Sequence, residues 1–363
     1  MKVASEDELA EAIRGARRGL RILGGGTRGA ELAGAADLLD VSGVSGVALY
    51  EPGALTLVAR AGTPLAEIEA ALAAEGQRLA FEPADWRGLL GRAGTPTLGG
   101  AVAANVSGPR RVQAGACRDA LLGVRFVDGS GAIVRNGGRV MKNVTGYDLA
   151  RLMAGSHGTL GVLSEIALKV QPMPGAVATI VVPGLGLEAA VAAMARALMS
   201  PYEVTGAARL PDGRVAIRVE GFAGSVAYRA GRLAEMLGSG AEVTLEGAIW
   251  ADIRDVAAFH RRAGDVWRFS VKPSDAPVVA GRLGGEVLLD WGGGLIWALL
   301  PEGTDARALA APYKGHATLI RAGAETRARL PRFELEAPGV AALSRRLRAG
   351  FDPRGIFNPG LMG

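Results

Sequence analysis

Apolar residues recur along this chain in two rhythms, and each predicts a different element. Leu65, Ile68, Ala71 and Leu72 fall at helical spacing, which predicts a helix over 64–75 with Thr63 as its cap and Pro64 in the first turn. Ser5 and Glu8 have the spacing of a capping box, so a first helix would run to about Arg18 and end at Gly19. Short apolar runs predict strands at 20–23, 121–127 and 162–170, with short strands and turns between 38 and 65 and a turn at Asp128-Gly129. A helix is expected around 146–154, and Pro172 and Pro174 mark a boundary. Beyond it, strand 176–183, helix 187–199, strand 214–220 and helix 225–237 alternate. The run continues through "WRFSVKP", "EVLLDWGGGLIWALL" and "GHATLIRA" to a basic helix and a Pro/Gly-punctuated end over 338–363. The pattern is that of an α+β chain without internal repeats.

Glycine breaks these rhythms at informative places. "LRILGGGTRG" (20–29) runs from an apolar strand into bare backbone, which suits either a tight turn or a cradle where several N–H groups converge on a phosphate. The loop formally matches G-x-G-x-x-G, with Asp40 or Glu51 as a possible ribose reader. A dinucleotide βαβ unit also needs a long helix opening at the last glycine, and "AELAGAADLLD" is short and broken by Gly34. Residues 94–131 are dense in small side chains, which would let backbone lie against a large flat ligand. A second glycine-spaced loop, Gly155, Gly158 and Gly161, leads into the strand that follows.

Composition narrows the partners. A chain of 363 residues is long enough for two domains, and its net charge of +5 (pI ≈ 9.6) suggests an anionic ligand or an acidic partner. The arginine pairs at 17–18, 110–111, 261–262 and 345–346 are scattered, so no nucleic-acid stripe forms. Cys117 is the single cysteine, which excludes an internal disulfide and any cysteine-ligated iron–sulfur or zinc site held by this chain alone. The acidic start "MKVASEDELAEAI" lacks a signal-peptide core, and the uncharged stretch 170–187 is broken by Pro and Gly. A cytoplasmic protein without a spanning helix is expected.

Three segments share one known pattern. "RILGGGTR" resembles the pyrophosphate loop of flavoproteins with the FAD-binding fold of p-cresol methylhydroxylase and vanillyl-alcohol oxidase. "FEP" (81–83) with "TPTLGGAVAANVSGP" resembles that fold's middle segment, and "GYDLARLMAGSHGTLGVLSEIALKVQP" its closing motif. The later segments "WRFSVKP", "LLDWGGGLIW", "GHATLIRA" and "FDPRGIFNPGLM" are similar to the family of FAD-binding subunits of bacterial glycolate oxidases. The resemblance implies a two-subdomain FAD-binding domain over 1–174, an α+β cap domain over 175–335, and a C-terminal segment, 336–363, packing back near the flavin.

It also implies roles. Gly24, Gly25, Gly26, Thr27, Arg28 and Gly29 would face the FAD diphosphate, with Arg28 adding a charge or pairing with a surface acid. Pro83 would stiffen the wall beside the flavin. Thr97, Leu98, Gly99 and Gly100, then Asn105, Ser107 and Gly108, would bring backbone close to it. Gly158, Thr159, Gly161 and Val162 would close over it, and Asn358 would return the tail to it. The first loop has Thr27 and Arg28 where covalently flavinylated relatives carry a His, so FAD is expected to be non-covalent, with Cys117 buried and inert and His157 a neighbour of the cofactor. For chemistry, Arg268 would bind a carboxylate, with Lys272 or His316 nearby, or else form a structural ion pair. No His/Glu metal cluster is recognisable, since the histidines are His157, His260 and His316. Trp250, Trp267, Trp291 and Trp297 are as readily core as partner-facing. The implied function is the FAD-binding subunit of a glycolate oxidase complex, oxidising glycolate or a related 2-hydroxy acid. The alternative is an FAD-loaded accessory subunit that relays electrons. Implied partners are a larger FAD-containing subunit and an iron–sulfur subunit, with membrane association only through them.

Overall fold

The computed structural model describes residues 1–28, 36–139, 146–245 and 247–362. The first helix, Glu6–Gly15, buries Leu9, Ala10 and Ile13, and Ser5 caps it by accepting the Glu8 N–H at 3.2 Å. The return half of the expected box is displaced by one residue, because Glu8 Oε2 accepts from the Ala4 N–H at 2.8 Å. The helix also stops at Gly15, short of Arg18, as Ala16 becomes extended to feed the strand Leu20–Leu23. Gly19 serves a different purpose from a helix stop: a Cβ there would sit 2.8 Å from the Pro359 ring. Leu20–Leu23 pairs in parallel with Asp37–Asp40. Its other edge meets the C-terminal tail, with Leu20 N–H donating to the Ile356 carbonyl at 2.6 Å and Asn358 N–H to the Leu20 carbonyl at 2.9 Å.

Among the described residues, two larger antiparallel sheets carry the rest of the chain. The first runs Val47–Glu51, Thr56–Arg60, Val162–Pro172, Leu121–Val127, Ile133–Gly137, and Gln77–Leu79 pairs with the far end of the long strand. Helix Leu65–Ala74 buries Leu65, Ile68 and Leu72 against it. Thr63 does not cap that helix. Its hydroxyl instead donates to the Arg60 carbonyl at 2.7 Å and accepts the Gly46 N–H at 2.9 Å, and the cap position falls to Pro64.

The second sheet has the strand order Glu242–Thr244, Ala176–Val182, Val215–Gly221, Val204–Arg209, Glu286–Asp290, Leu295–Leu300, Asp265–Val271, Gly315–Arg321. Helices Leu187–Met199, Ala223–Leu237 and Ala276–Leu283 cover one face and form a core with Trp267, Phe269, Ile296 and Ala317. Because successive side chains alternate, the register dictates what the other face presents. Asp290, Leu295, Ser270 and His316 make one row across four neighbouring strands, and Leu288, Trp297, Arg268 and Thr318 make the next. Trp250, Trp267, Trp291 and Trp297 are all buried, so they serve as core.

The two sheets are joined by buried and half-buried charges. Arg218 pairs with Glu82 and Arg78 with Glu220, both at 2.8 Å, and Trp291 Nε1–H donates to the Gly108 carbonyl at 3.0 Å. No helix among the described residues is long and apolar enough to cross a membrane.

Candidate functional site

The glycine loop lies flush against the segment 94–97. Thr95 N–H donates to the Gly25 carbonyl at 3.1 Å, and a Cβ on Gly25 would fall 1.5 Å from the Thr95 carbonyl oxygen. Gly25 is therefore glycine first because two loops touch there, a reason the sequence alone does not reveal. A Cβ on Gly24 would likewise reach Thr97 Oγ1 at 2.7 Å, and Thr97 caps the short helix Leu98–Ala103. From the opposite side the tail locks in. Asn358 Oδ1 accepts the Ile22 N–H at 2.9 Å, and its Nδ2 donates to the His157 carbonyl at 2.8 Å.

A cavity of about 210 Å³ opens over these loops, lined by Gly24, Gly25, Gly26, Thr27, Arg28, Thr97, Gly100, His157, Arg332 and Asn358 among others. Arg21, Arg28, Arg92 and Arg332 line it, and no carboxylate among the described residues does. The Nε atoms of Arg28 and Arg332 are buried without a protein partner. Arg28 otherwise donates to the Ala84 carbonyl and stacks on Trp86, so it pairs with no surface acid among the described residues. Burial pulls its guanidinium down to about 10, which leaves it cationic at neutral pH. A cradle of backbone, arginine and no acid suits a diphosphate, and the residues present fit FAD.

Through His157 and Arg332 this cavity continues into a second, of about 280 Å³, between Asn105, Ser107 and Gly108 on one side and, on the other, the face of the large sheet that carries Arg268 and Asp290. Asn105, at φ 47°, holds the turn with its Oδ1 on the Arg118 N–H at 3.0 Å, and Ser107 Oγ accepts the Cys117 N–H at 2.9 Å. Cys117 itself is fully buried, and burial pushes its thiol well above the ordinary range. His157, also at positive φ, packs on Phe333 with ring centroids 5.1 Å apart; burial and nearby arginines lower it to about 3, so it is neutral.

Arg268 reaches this second cavity with no hydrogen bond or ion pair among the described residues. Its guanidinium stacks on Trp291 at 5.3 Å and Trp297 at 5.9 Å. Burial, and then Arg111, lower it to about 10, so it too remains charged. Arg111 stands beside it over Trp291 at 4.2 Å. His316 lies at the mouth, lowered by burial and by Arg268. Lys272 falls one residue beyond the strand, is exposed, and does not line the cavity. Pro83, Leu98, Gly99, Gly158, Thr159, Gly161 and Val162 line neither of these two cavities; a Cβ on Gly161, for instance, would meet Phe126 at 2.7 Å. Gly29 lies outside the described residues. Arg111, Arg332 and Asp290 also line the second cavity, although no sequence motif points to them. Asp290 is a charge at the end of an apolar run, and its facing is legible only once the register is known; Arg111, in the short helix Arg111–Ala114, and Arg332, in a loop, carry no local signal.

Residues 1–137 match the family model described as FAD binding domain. The glycolate oxidase subunit GlcE of Escherichia coli is 41% identical over 326 residues, covering 89% of this chain and 86% of that one. The chain belongs to the GlcE family. With the FAD binding domain matched over 1–137, the cofactor of this GlcE-type chain is FAD. The glycolate oxidase subunit GlcD of Bacillus subtilis is 44% identical over 78 residues, 22% of this chain and 17% of that one. Among solved structures, an alkyldihydroxyacetonephosphate synthase superposes with a TM-score of 0.69 over 99% of this chain and 76% of its own, at 17% identity, a likeness of fold.

Proposed function

We propose that this chain is the GlcE-type, FAD-carrying component of a glycolate oxidase complex and that its second cavity receives the 2-hydroxy acid. The observation that carries this is Arg268, a charged guanidinium with no hydrogen-bond or ion-pair partner among the described residues, stacked on Trp291 and Trp297 in a cavity continuous with the glycine cradle. A small 2-hydroxy carboxylate answers that charge, with Arg111 as a second donor. The loop at 24–28, Thr97, Gly100 and Asn358 would hold FAD without a covalent bond. Bound FAD supplies an acceptor for the hydride of the carbinol carbon. The residues of the second cavity would bind the carboxylate, orient the hydroxyl carbon towards the flavin and exclude bulk water. With one cysteine, buried at Cys117, the chain holds no cluster of its own, so electrons would pass to a larger FAD subunit and an iron–sulfur subunit. Any location at the inner face of a membrane would come through those partners.

The test is an anaerobic titration of the FAD-loaded chain, alone and assembled with its partners, with glycolate. Bleaching of the visible flavin band in the wild type, and its loss in Arg268→Met with FAD still bound, is the expected result. A flavin band that glycolate leaves unchanged in both preparations overturns the proposal.

A further inference from the structure

The second cavity contains five arginines, Arg111, Arg118, Arg254, Arg268 and Arg332, and one carboxylate, Asp290, among the described residues. Asp290 ends the strand Glu286–Asp290, whose last four residues are all buried. Its row-mates are Leu295, Ser270 and His316, so the pleat turns its side chain to the same side as Arg268 one row over. A buried aspartate surrounded by arginines ordinarily pairs with one of them. Asp290 does not. Its Oδ1 accepts the Trp291 backbone N–H at 2.7 Å, and Oδ2 accepts nothing from the protein among the described residues. Arg218, the next cation along the sheet, is committed to Glu82, and Arg254 to Asp255. The cavity thus offers a fixed cation for a carboxylate and, on the adjacent row, an oxygen with a free lone pair.

We propose that Asp290 is the general base of this subunit. The inference rests on the functional reading above. With the substrate carboxylate on Arg268, the hydroxyl O–H breaks and its proton goes to Asp290 Oδ2. The C–H bond breaks in the same oxidation, its electron pair leaving with the hydrogen for FAD. The carbonyl forms, and the products are the 2-oxo acid, reduced FAD and a protonated Asp290 that returns its proton to water past His316. Burial raises the Asp290 carboxyl from its ordinary 3.8 to about 7, with Glu82 pushing the same way and the Trp291 N–H, Arg218 and Arg268 pulling against it. Arg111, Arg118, Arg254, Arg332, His157 and His316 complete the charged and titratable groups facing the cavity. A base with this value is matched to neutral conditions.

The experiment uses Asp290→Asn and Asp290→Glu in the FAD-loaded chain assembled with its partners, with anaerobic glycolate as the probe. Asp290→Asn is expected to keep FAD and to be reduced about 10²- to 10⁴-fold more slowly. The wild-type rise in reduction rate with pH through about 7 should disappear, and Asp290→Glu should restore part of the rate. A second readout needs no turnover. The folded carboxyl keeps its proton to a higher pH than the unfolded one. Relative to Asp290→Asn, the wild type should therefore lose thermal stability as pH rises from about 4 to about 7, then level off. A wild type reduced by glycolate together with an Asp290→Asn variant reduced equally fast overturns the role of Asp290 and leaves the carboxylate site standing. A wild type that glycolate never reduces overturns the functional reading and the base with it.

Discussion

Arg218→Met should loosen the join between the two sheets and, with it, the hold on FAD. The guanidinium is 4% exposed and makes a two-point contact with Glu82, Nη1 to Oε1 at 2.8 Å and Nη2 to Oε2 at 3.1 Å. It also donates to the Thr205 hydroxyl and carbonyl and lies 4.6 Å over the Trp250 ring. Glu82 belongs to the other half of the chain. It sits at φ 48°, directly before Pro83, and its Oε2 also takes the Arg110 N–H at 2.7 Å. Its carbonyl is the atom that a Cβ on Gly108 would strike at 2.7 Å. Replacing Arg218 by methionine keeps the stem over Trp250 and strands the Glu82 carboxylate, 18% exposed, on one backbone hydrogen bond. Breaking a buried pair in this way costs about 3–5 kcal/mol. An exposed pair such as Arg18–Asp37, with both side chains 55% accessible, contributes less than about 1 kcal/mol. At about 2 °C per kcal/mol for a chain of this size, the melting temperature should fall by about 6–10 °C. The assay is thermal unfolding followed by circular dichroism and by the release of flavin fluorescence. The flavin signal should fall at least as far as the fold signal, since Glu82 anchors the wall beside the second cavity. Glu82→Gln combined with Arg218→Met removes the stranded charge and should recover about 1–3 kcal/mol. A single variant that melts within about 2 °C of wild type, or a double variant no better than the single, refutes the clamp.

Asn358→Ala deletes the two side-chain bonds of Asn358, to Ile22 and His157, while the backbone bonds to Leu20 remain, and should cost about 1–3 kcal/mol and weaken FAD retention, measured by flavin content after gel filtration. Gly25→Ala should drive the glycine loop off Thr95, so FAD binding and thermal stability fall together; a variant that lost FAD with an unchanged melting temperature would show that the glycine serves the ligand alone. Cys117, fully buried with its thiol raised, should react with a thiol reagent only after denaturation, whereas rapid labelling of the native protein would contradict its burial.

The sequence is legible where local forces decide. Helix Leu187–Met199 matches its apolar spacing, and Leu121–Val127 matches its apolar run. Val204–Arg209, "VTGAAR", escapes notice because small residues suffice for a strand paired on both sides, and propensity says little there. Thr63 reads as a cap because no local signal shows that Gly46, seventeen positions earlier, claims its hydroxyl. The cavity divides the same way. The glycine loop and Arg268 stand out as motif and as charge in an apolar strand. Asp290 hides in "LLDW", since which side of the sheet it faces depends on a register fixed by strands well before and after it. Lys272 shows the converse: alternation would carry it to the same face as Ser270, but the strand ends at Val271.

The bond between Ile22 and Asn358 joins positions 336 apart in the chain. A ribosome making this protein therefore completes the strand and glycine loop early, then synthesises the whole large sheet before the residue that clasps them exists. The cradle must wait, open on one side, through most of translation. If that cradle holds FAD, capture of the cofactor would for that reason come late in the life of the molecule. A messenger cut short, or a protease that trims the tail, would leave two well-made sheets with an unfastened grip on the flavin.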